Sequence, residues 1–210
     1  MFWYPKEKDL VTVDSKGMTL KDFLTAYDPA AYDRPAVTVD NVILKDTSAG
    51  LQILLVRRGR HPYYGMLALP GGFIEMEESL EDAAARELME ETGVTGVHLT
   101  QLGAYGTLGR DPRLRIISVA YATIISNEIE YHAGDDADDA GFYDVSVQTE
   151  RNGPETIHEL AFQSGMERIV CSIAETGGKR RITDSELASD HALMVLDALE
   201  KLGFSEYQRI

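Results

Sequence analysis

Cysteine is nearly absent. Cys171 is the only one in 210 residues, which excludes an internal disulfide and fits a reducing, cytoplasmic setting. Within the strand-like run IVCSI it reads as a small buried hydrophobe rather than a nucleophile. Long apolar runs are missing too. The longest, Ile116 to Ile125, is too short to span a bilayer, so no membrane partner is expected. Positive charge is scarce: 20 Lys and Arg face 35 Asp and Glu, giving a formal charge of −15. Nucleic-acid surfaces need clustered Lys and Arg, so none is expected here. The same field repels anionic substrates at long range, and any anion site needs its own local cations. The apolar start MFWYPKEKD is broken by Pro5 and charges before a signal-peptide core can form. No repeat or low-complexity tract is present.

What stands out is Gly72 to Val94, GFIEMEESLEDAAARELMEETGV. A turn at Pro70-Gly71-Gly72 opens it. Ser79 is a good helix N-cap, with Asp82 three residues on as the acid of a capping box. Glu81 and Asp82 put negative charge where the helix dipole favours it, and Gly93 is the expected residue just past the C-terminus. At about 100° per residue, Leu80, Ala84, Glu87 and Glu91 share one line, with Leu88 beside it. The stripe begins apolar and ends in carboxylates. Burying several carboxylates unpaired costs several kcal/mol per ion. A hard divalent cation such as Mg²⁺ resolves that conflict, because it takes carboxylate oxygens. Arg86 reaches Glu90 at i+4.

Gly72, Glu78, Arg86, Glu87, Leu88, Glu90, Glu91, Gly93 and Val94 fill every fixed position of the pattern G-x5-E-x7-R-E-U-x-E-E-x-G-U, with U apolar. At usage of roughly one in fifteen per residue, seven fixed identities arise by chance about once in 10⁸ start positions. The segment resembles the Nudix box, and the chain resembles the Nudix hydrolases, which cleave a nucleoside diphosphate linked to another moiety. The resemblance implies an α/β fold, the Nudix α/β/α sandwich with a mixed β-sheet. It also implies Mg²⁺ or Mn²⁺ held against the substrate pyrophosphate by Glu87, Glu90 and Glu91, with Glu78 and the Gly72 carbonyl as further donors. Arg86 is then an orienting residue. A box glutamate or a later carboxylate, Glu159 or Glu186, serves as general base.

Other stretches resemble the ADP-ribose pyrophosphatase branch. RRGRHPYYGMLALPGGF matches it at Arg57, Pro62, Gly65 and Ala68 to Phe73, with Met66-Leu67 where a Trp is common. DPRLRIISVAY and the later LASDHALMVLDAL match further stretches of that branch. The resemblance implies substrate contacts from Arg57, Gly71, Gly72, Arg113 and Arg115, with ADP-ribose as substrate. Arg113 and Arg115, two residues apart in extended chain, point the same way. Phosphate contact and plain surface charge both account for them, and His61 reads as a structural or solvated loop residue. Rival substrates are nucleoside triphosphates and dinucleotides. A rival class is a non-catalytic ADP-ribose sensor with a C-terminal winged helix, against which the intact box and the early end at SEYQRI argue.

Residues 1–34 are expected to form an arm with a short helix over Met18 to Tyr27, contributing, by the same resemblance, to a homodimer. Residues 35–210 form the main domain. Alternating, β-branched VTVDNVILK and LQILLVRR predict adjacent strands. IISVAYATII reads as a strand buried on both faces. FYDVSVQT, TIHELAF and MERIVCSIA predict an antiparallel meander that ends at Gly177-Gly178, and Asp184 to Leu202 an amphipathic helix. Acidic GDDADD, 134–139, lacks the EF-hand spacing and reads as a solvated turn.

Overall fold

A computed structural model of the chain describes residues 11–125, 130–132 and 137–204. The segments 1–10, 126–129, 133–136 and 205–210 lie outside it, and with them the broken apolar start, SEYQRI and the first half of the acidic turn. The chain divides into two units, Met1–Arg34 and Pro35–Ile210. In the first, α1 (Leu20–Ala26) is capped by Thr19, whose hydroxyl accepts from the Asp22 N–H while Asp22 accepts from the Thr19 N–H. None of its residues is buried. Phe23 and Leu24 are exposed.

The second unit is built on one mixed sheet of ten strands among the described residues. In chain order these are β1 (Ala36–Asp46), β2 (Leu51–Arg58), β3 (Leu67–Ala68), β4 (Gly71–Phe73), β5 (Thr100–Tyr105), β6 (Ile116–Ile125), β7 (Ala137–Asn152), β8 (Glu155–Ser164), β9 (Glu167–Thr176) and β10 (Lys179–Ser185). The main order is β10-β9-β8-β7-β2-β1-β6-β5, with β3 on β2 and β4 on β1. β1 and β6 run parallel. The other pairs are antiparallel. Two helices follow in the chain, α2 (Leu80–Thr92) between β4 and β5, and α3 (His191–Lys201) after β10.

Strand alternation separates the two faces. On β1, Val39 and Ile43 belong to the apolar clusters built around Ala83, Ala84 and Leu88 of α2. Val42 and Leu44 belong to the cluster that holds Met194, Val195, Leu196 and Leu199 of α3. β6 divides the same way, with Val119 and Tyr121 on one side and Ala120 and Ala122 on the other. Burying a Leu side chain such as Leu88 contributes about 1.5–3 kcal/mol. The result is an α/β/α arrangement with one helix per face. Polar residues follow the same alternation. Asn41 donates from Nδ2 to the Ala84 carbonyl at 3.0 Å and ties α2 to the sheet. Asp40, one residue earlier, turns toward α3.

Two expected boundaries move. The meander does not stop at Gly177-Gly178: both glycines have positive φ and make the turn from β9 into β10. The last helix starts at His191, not Asp184, because Asp184 and Ser185 complete β10 and Leu187 pairs with Leu67 in an isolated parallel bridge. Residues 137–139 of the acidic segment are the start of β7 rather than a turn.

Candidate active site

The α2 N-terminus is set by Ser79, whose Oγ accepts from the Asp82 N–H at 3.1 Å. The reciprocal half of the capping box is replaced. The Asp82 carboxylate accepts from the Ser79 hydroxyl at 2.8 Å, Asp being one methylene shorter than the Glu that reaches back to a backbone N–H. Gly93, at φ 72°, ends the helix and donates its N–H to the Met89 carbonyl. Between these ends Ala84 and Leu88 anchor on the sheet, and Glu87 and Glu91 fall beside the β3–β4 turn.

That turn needs its glycines. A Cβ on Gly71 would sit 2.1 Å from the Val39 carbonyl oxygen, and one on Gly72 would lie 2.5–2.6 Å from the Glu87 carboxylate. Gly71 donates its N–H to Glu91 Oε2 at 2.8 Å. Burial pushes the Glu91 carboxyl up to about 7; the Gly71 N–H opposes this and the charges of Glu87 and Asp40 add to it. Burial also raises Glu87, with Arg86 opposing.

Arg86 ties the acidic residues together. It donates to Glu78 Oε1 at 2.6 Å and Oε2 at 3.0 Å, to Glu87 Oε1 at 2.8 Å, to Glu90 Oε2 at 3.0 Å and to the Phe73 carbonyl at 3.0 Å. The bonds it donates to Glu78 hold the guanidinium protonated, and Arg86 in turn holds Glu78 below the usual carboxylate range. Both Glu78 oxygens are thus engaged, one of them also by the Glu75 N–H. Glu90 is exposed. Among the described residues, Glu87 Oε2 and Glu91 Oε1 accept no hydrogen bond, and no three His, Cys, Asp or Glu side chains stand converged on one point as a ready-made metal site. The donor chemistry nevertheless fits a hard divalent ion. Two carboxylates whose charge burial penalises sit side by side, each with one oxygen unbonded, and the ligand class is oxygen throughout.

These groups border a cleft of about 590 Å³. Arg57, Arg58, Arg60, Arg86, Arg110 and Arg113 line it, with Asp40, Glu75, Glu87, Glu91 and Asp111 as its carboxylates. Six arginines on one cleft, in a chain with 20 Lys and Arg overall, are the local cations that the acidic balance calls for. Their engagements differ. Arg57 forks onto Glu167 at 2.7 Å and donates to the Gly65 carbonyl at 2.9 Å. Arg113 lies 5.2 Å over the Phe73 ring and pairs with Asp111 at 2.8 Å. Arg115 is exposed, bonds the Gly106 and Thr107 carbonyls, and does not border the cleft. Arg113 and Arg115 therefore part company, because the segment before β6 is irregular rather than extended. Glu159, on β8, and Glu186, which accepts from the Val170 N–H, are also away from the cleft.

Beyond Arg110, which the sequence groups with Arg113 and Arg115 in one arginine-rich loop before β6, several cleft residues carry little mark of their role in the sequence. Arg58 donates to the Pro62 carbonyl at 2.8 Å and has no carboxylate within 4.0 Å among the described residues. Asp40 and His191, both 6% exposed, lie 3.5 Å apart. Arg110 forks onto Asp190 at 2.6–3.1 Å, and Ser189 and Tyr63 both donate to the Arg110 carbonyl. An Asp inside the β-branched run VTVDNVIL and the polar S-D-H opening an amphipathic helix were the available signals.

The family model of the NUDIX domain matches residues 34–156. An ADP-ribose pyrophosphatase of Methanocaldococcus jannaschii is 43% identical over 116 residues, covering 55% of this chain and 65% of that protein. The ADPR responsive transcriptional repressor NtrR of Acinetobacter baylyi is 38% identical over 106 residues, covering 50% and 42%. The chain thus spans less than two thirds of either curated relative. Among solved structures, a MutT/nudix family protein from Enterococcus faecalis superposes with a TM-score of 0.70 at 30% identity, covering 89% of this chain and 70% of the other. The NUDIX domain of Shewanella oneidensis NrtR complexed with ADP ribose gives 0.63 at 27%, covering 88% and 99%.

Proposed function

The chain belongs to the Nudix family, and from that premise we propose that it hydrolyses the pyrophosphate of a nucleoside diphosphate derivative, ADP-ribose to AMP and ribose 5-phosphate, with Mg²⁺ or Mn²⁺. One observation carries the reading: Glu87 and Glu91, both raised by burial, lie against the Gly71–Gly72 turn in an arginine-lined cleft. Glu87, Glu90 and Glu91 would hold the ion, with the Gly72 carbonyl and Glu78 as further donors. When bound, the ion neutralises the diphosphate and lowers the pKa of an attacking water. Arg86 keeps Glu87 and Glu90 oriented, and a planar fork of this kind is not replaced by Lys. Arg58 and Arg113 supply cations to the phosphate oxygens, and the glycine turn lets those oxygens approach the backbone. Similarity to the M. jannaschii ADP-ribose pyrophosphatase and to an NrtR domain complexed with ADP ribose supports the choice of substrate.

The chain is taken to act as a cytoplasmic homodimer without nucleic-acid or membrane partners, a setting supported by the acidic balance and the family resemblance. No helix among the described residues is long and apolar enough to cross a membrane. Similarity to NtrR favours a second reading, an ADP-ribose-responsive regulator. Hydrolysis of ADP-ribose, NADH, diadenosine polyphosphates and nucleoside triphosphates, each with Mg²⁺ and Mn²⁺, separates the readings when run beside DNA binding at about 100 mM salt. Turnover of ADP-ribose above the others supports the enzyme. Binding of DNA in a sequence-specific way that ADP-ribose reverses, without turnover, supports the regulator.

A further inference from the structure

Behind the glycine turn lies a buried polar group that the proposed chemistry does not use. Asp40 is on β1, and Ser118 on the neighbouring β6 donates its hydroxyl to Asp40 Oδ2. His191 Nε2 stands 3.5 Å from Asp40 Oδ1, and Arg110, forked onto Asp190, lies 4.0 Å from Oδ2. Burying charged groups is costly unless they are paired, so four polar residues from four segments do not meet here by default.

The histidine geometry fixes its state. Leu69 donates its backbone N–H to His191 Nδ1 at 2.9 Å. A nitrogen that accepts carries no proton, so Nδ1 is bare and the proton sits on Nε2, toward Asp40. Burial favours the same neutral ring. His191 is thus a two-ended link. One end accepts from Leu69, and the other faces, at 3.5 Å, the carboxylate beside which Gly71 is packed. The Pro70 carbonyl in the same turn accepts from the Asn41 N–H at 2.8 Å. Gly71 then passes its N–H to Glu91.

We propose that His191 is a positioning residue: its Nδ1 acceptor fixes the Leu69–Gly72 turn against β1 and, through the Gly71 N–H, sets the direction of Glu91, while Asp40 faces Nε2 and keeps the ring in the tautomer that leaves Nδ1 free to accept. The active-site role rests on the hydrolase reading above; the link itself does not. α3 thereby takes part in the site although it contributes no group to the diphosphate.

Two substitutions split the link. Asn places its Oδ1 where Nδ1 stands and keeps an acceptor for Leu69; Gln places its Nε2 near the ring Nε2 and keeps only the contact to Asp40. Amide hydrogen exchange by NMR, which needs no substrate, reads the turn directly. The Gly71 amide is expected to exchange at least about 10-fold faster in His191→Gln, and near the parent rate in His191→Asn. With ADP-ribose, kcat is expected to fall at least about 10-fold in His191→Gln with KM within about threefold, and to recover in His191→Asn. Equal behaviour of the two variants on exchange overturns the proposal, as does parent-like Gly71 exchange in both. So does loss of cooperative unfolding in either, since a positioning residue is dispensable for folding. A parent that does not turn over ADP-ribose counts against the hydrolase reading alone, and the exchange result still decides the link.

Discussion

Replacing Glu91 by Gln should stabilise the metal-free protein while removing its activity. The folded chain holds the Glu91 proton up to about pH 7, against 4.5 for the ordinary carboxyl. Between those values the folded state carries more protons than the unfolded one, so stability falls as pH rises through the window and levels off above it. Each tenfold change in proton affinity is 1.36 kcal/mol, so the loss at pH 8 is about 3 kcal/mol. Gln carries no charge to desolvate, and its Oε1 still accepts from the Gly71 N–H. In a chain of this size a gain of about 3 kcal/mol corresponds to a Tm rise of roughly 6–12 °C. The assay is thermal unfolding in EDTA from pH 4 to 8. Glu91→Gln should match the parent near pH 4 and exceed it increasingly toward pH 8. A variant less stable than the parent at pH 8, or a difference that does not vary with pH, refutes the placement of a desolvated carboxylate at this position.

The two glycines should fail differently. In Gly72→Ala the new Cβ meets only the end of the Glu87 side chain, so Tm should stay within about 3 °C while kcat falls at least about 10-fold. In Gly71→Ala it meets the Val39 carbonyl and the Asp40 Cα, backbone that cannot yield, and unfolding studies should show a loss of more than about 2 kcal/mol. Arg113→Ala should raise KM for ADP-ribose by roughly 10-fold, a charge-assisted bond being worth about 1.5–3 kcal/mol, while Arg115→Ala stays within about twofold.

Local and periodic features were legible in the sequence. Ser79, Gly93 and the apolar stripe of Ala84 and Leu88 act over one or two turns of helix, and the structure places all of them as the spacing requires. Alternation in VTVDNVIL gave the strand and both of its faces. What escaped depends on partners far away in the chain. Asp40 looks like an irregularity in a strand until His191 arrives from 151 positions later. Arg57 reads as a phosphate ligand, yet Glu167, far along the chain, already engages it. The amphipathic pattern places the start of α3 at Asp184 rather than His191 because Leu187 is apolar in either state, and only its bridge to Leu67 distinguishes them.

We propose that the Glu87–Glu91 face of α2 makes this chain a metal-dependent pyrophosphohydrolase. Purified parent and Glu87→Gln protein should be incubated with ADP-ribose in Mg²⁺ or Mn²⁺, and in EDTA, with AMP and ribose 5-phosphate followed by chromatography. Both products are expected in equal amounts from the parent with metal, none in EDTA, and a rate at least about 10²-fold lower in Glu87→Gln. Undiminished release in EDTA, parent-like rates in Glu87→Gln, or no turnover by the parent with either ion would contradict the proposal.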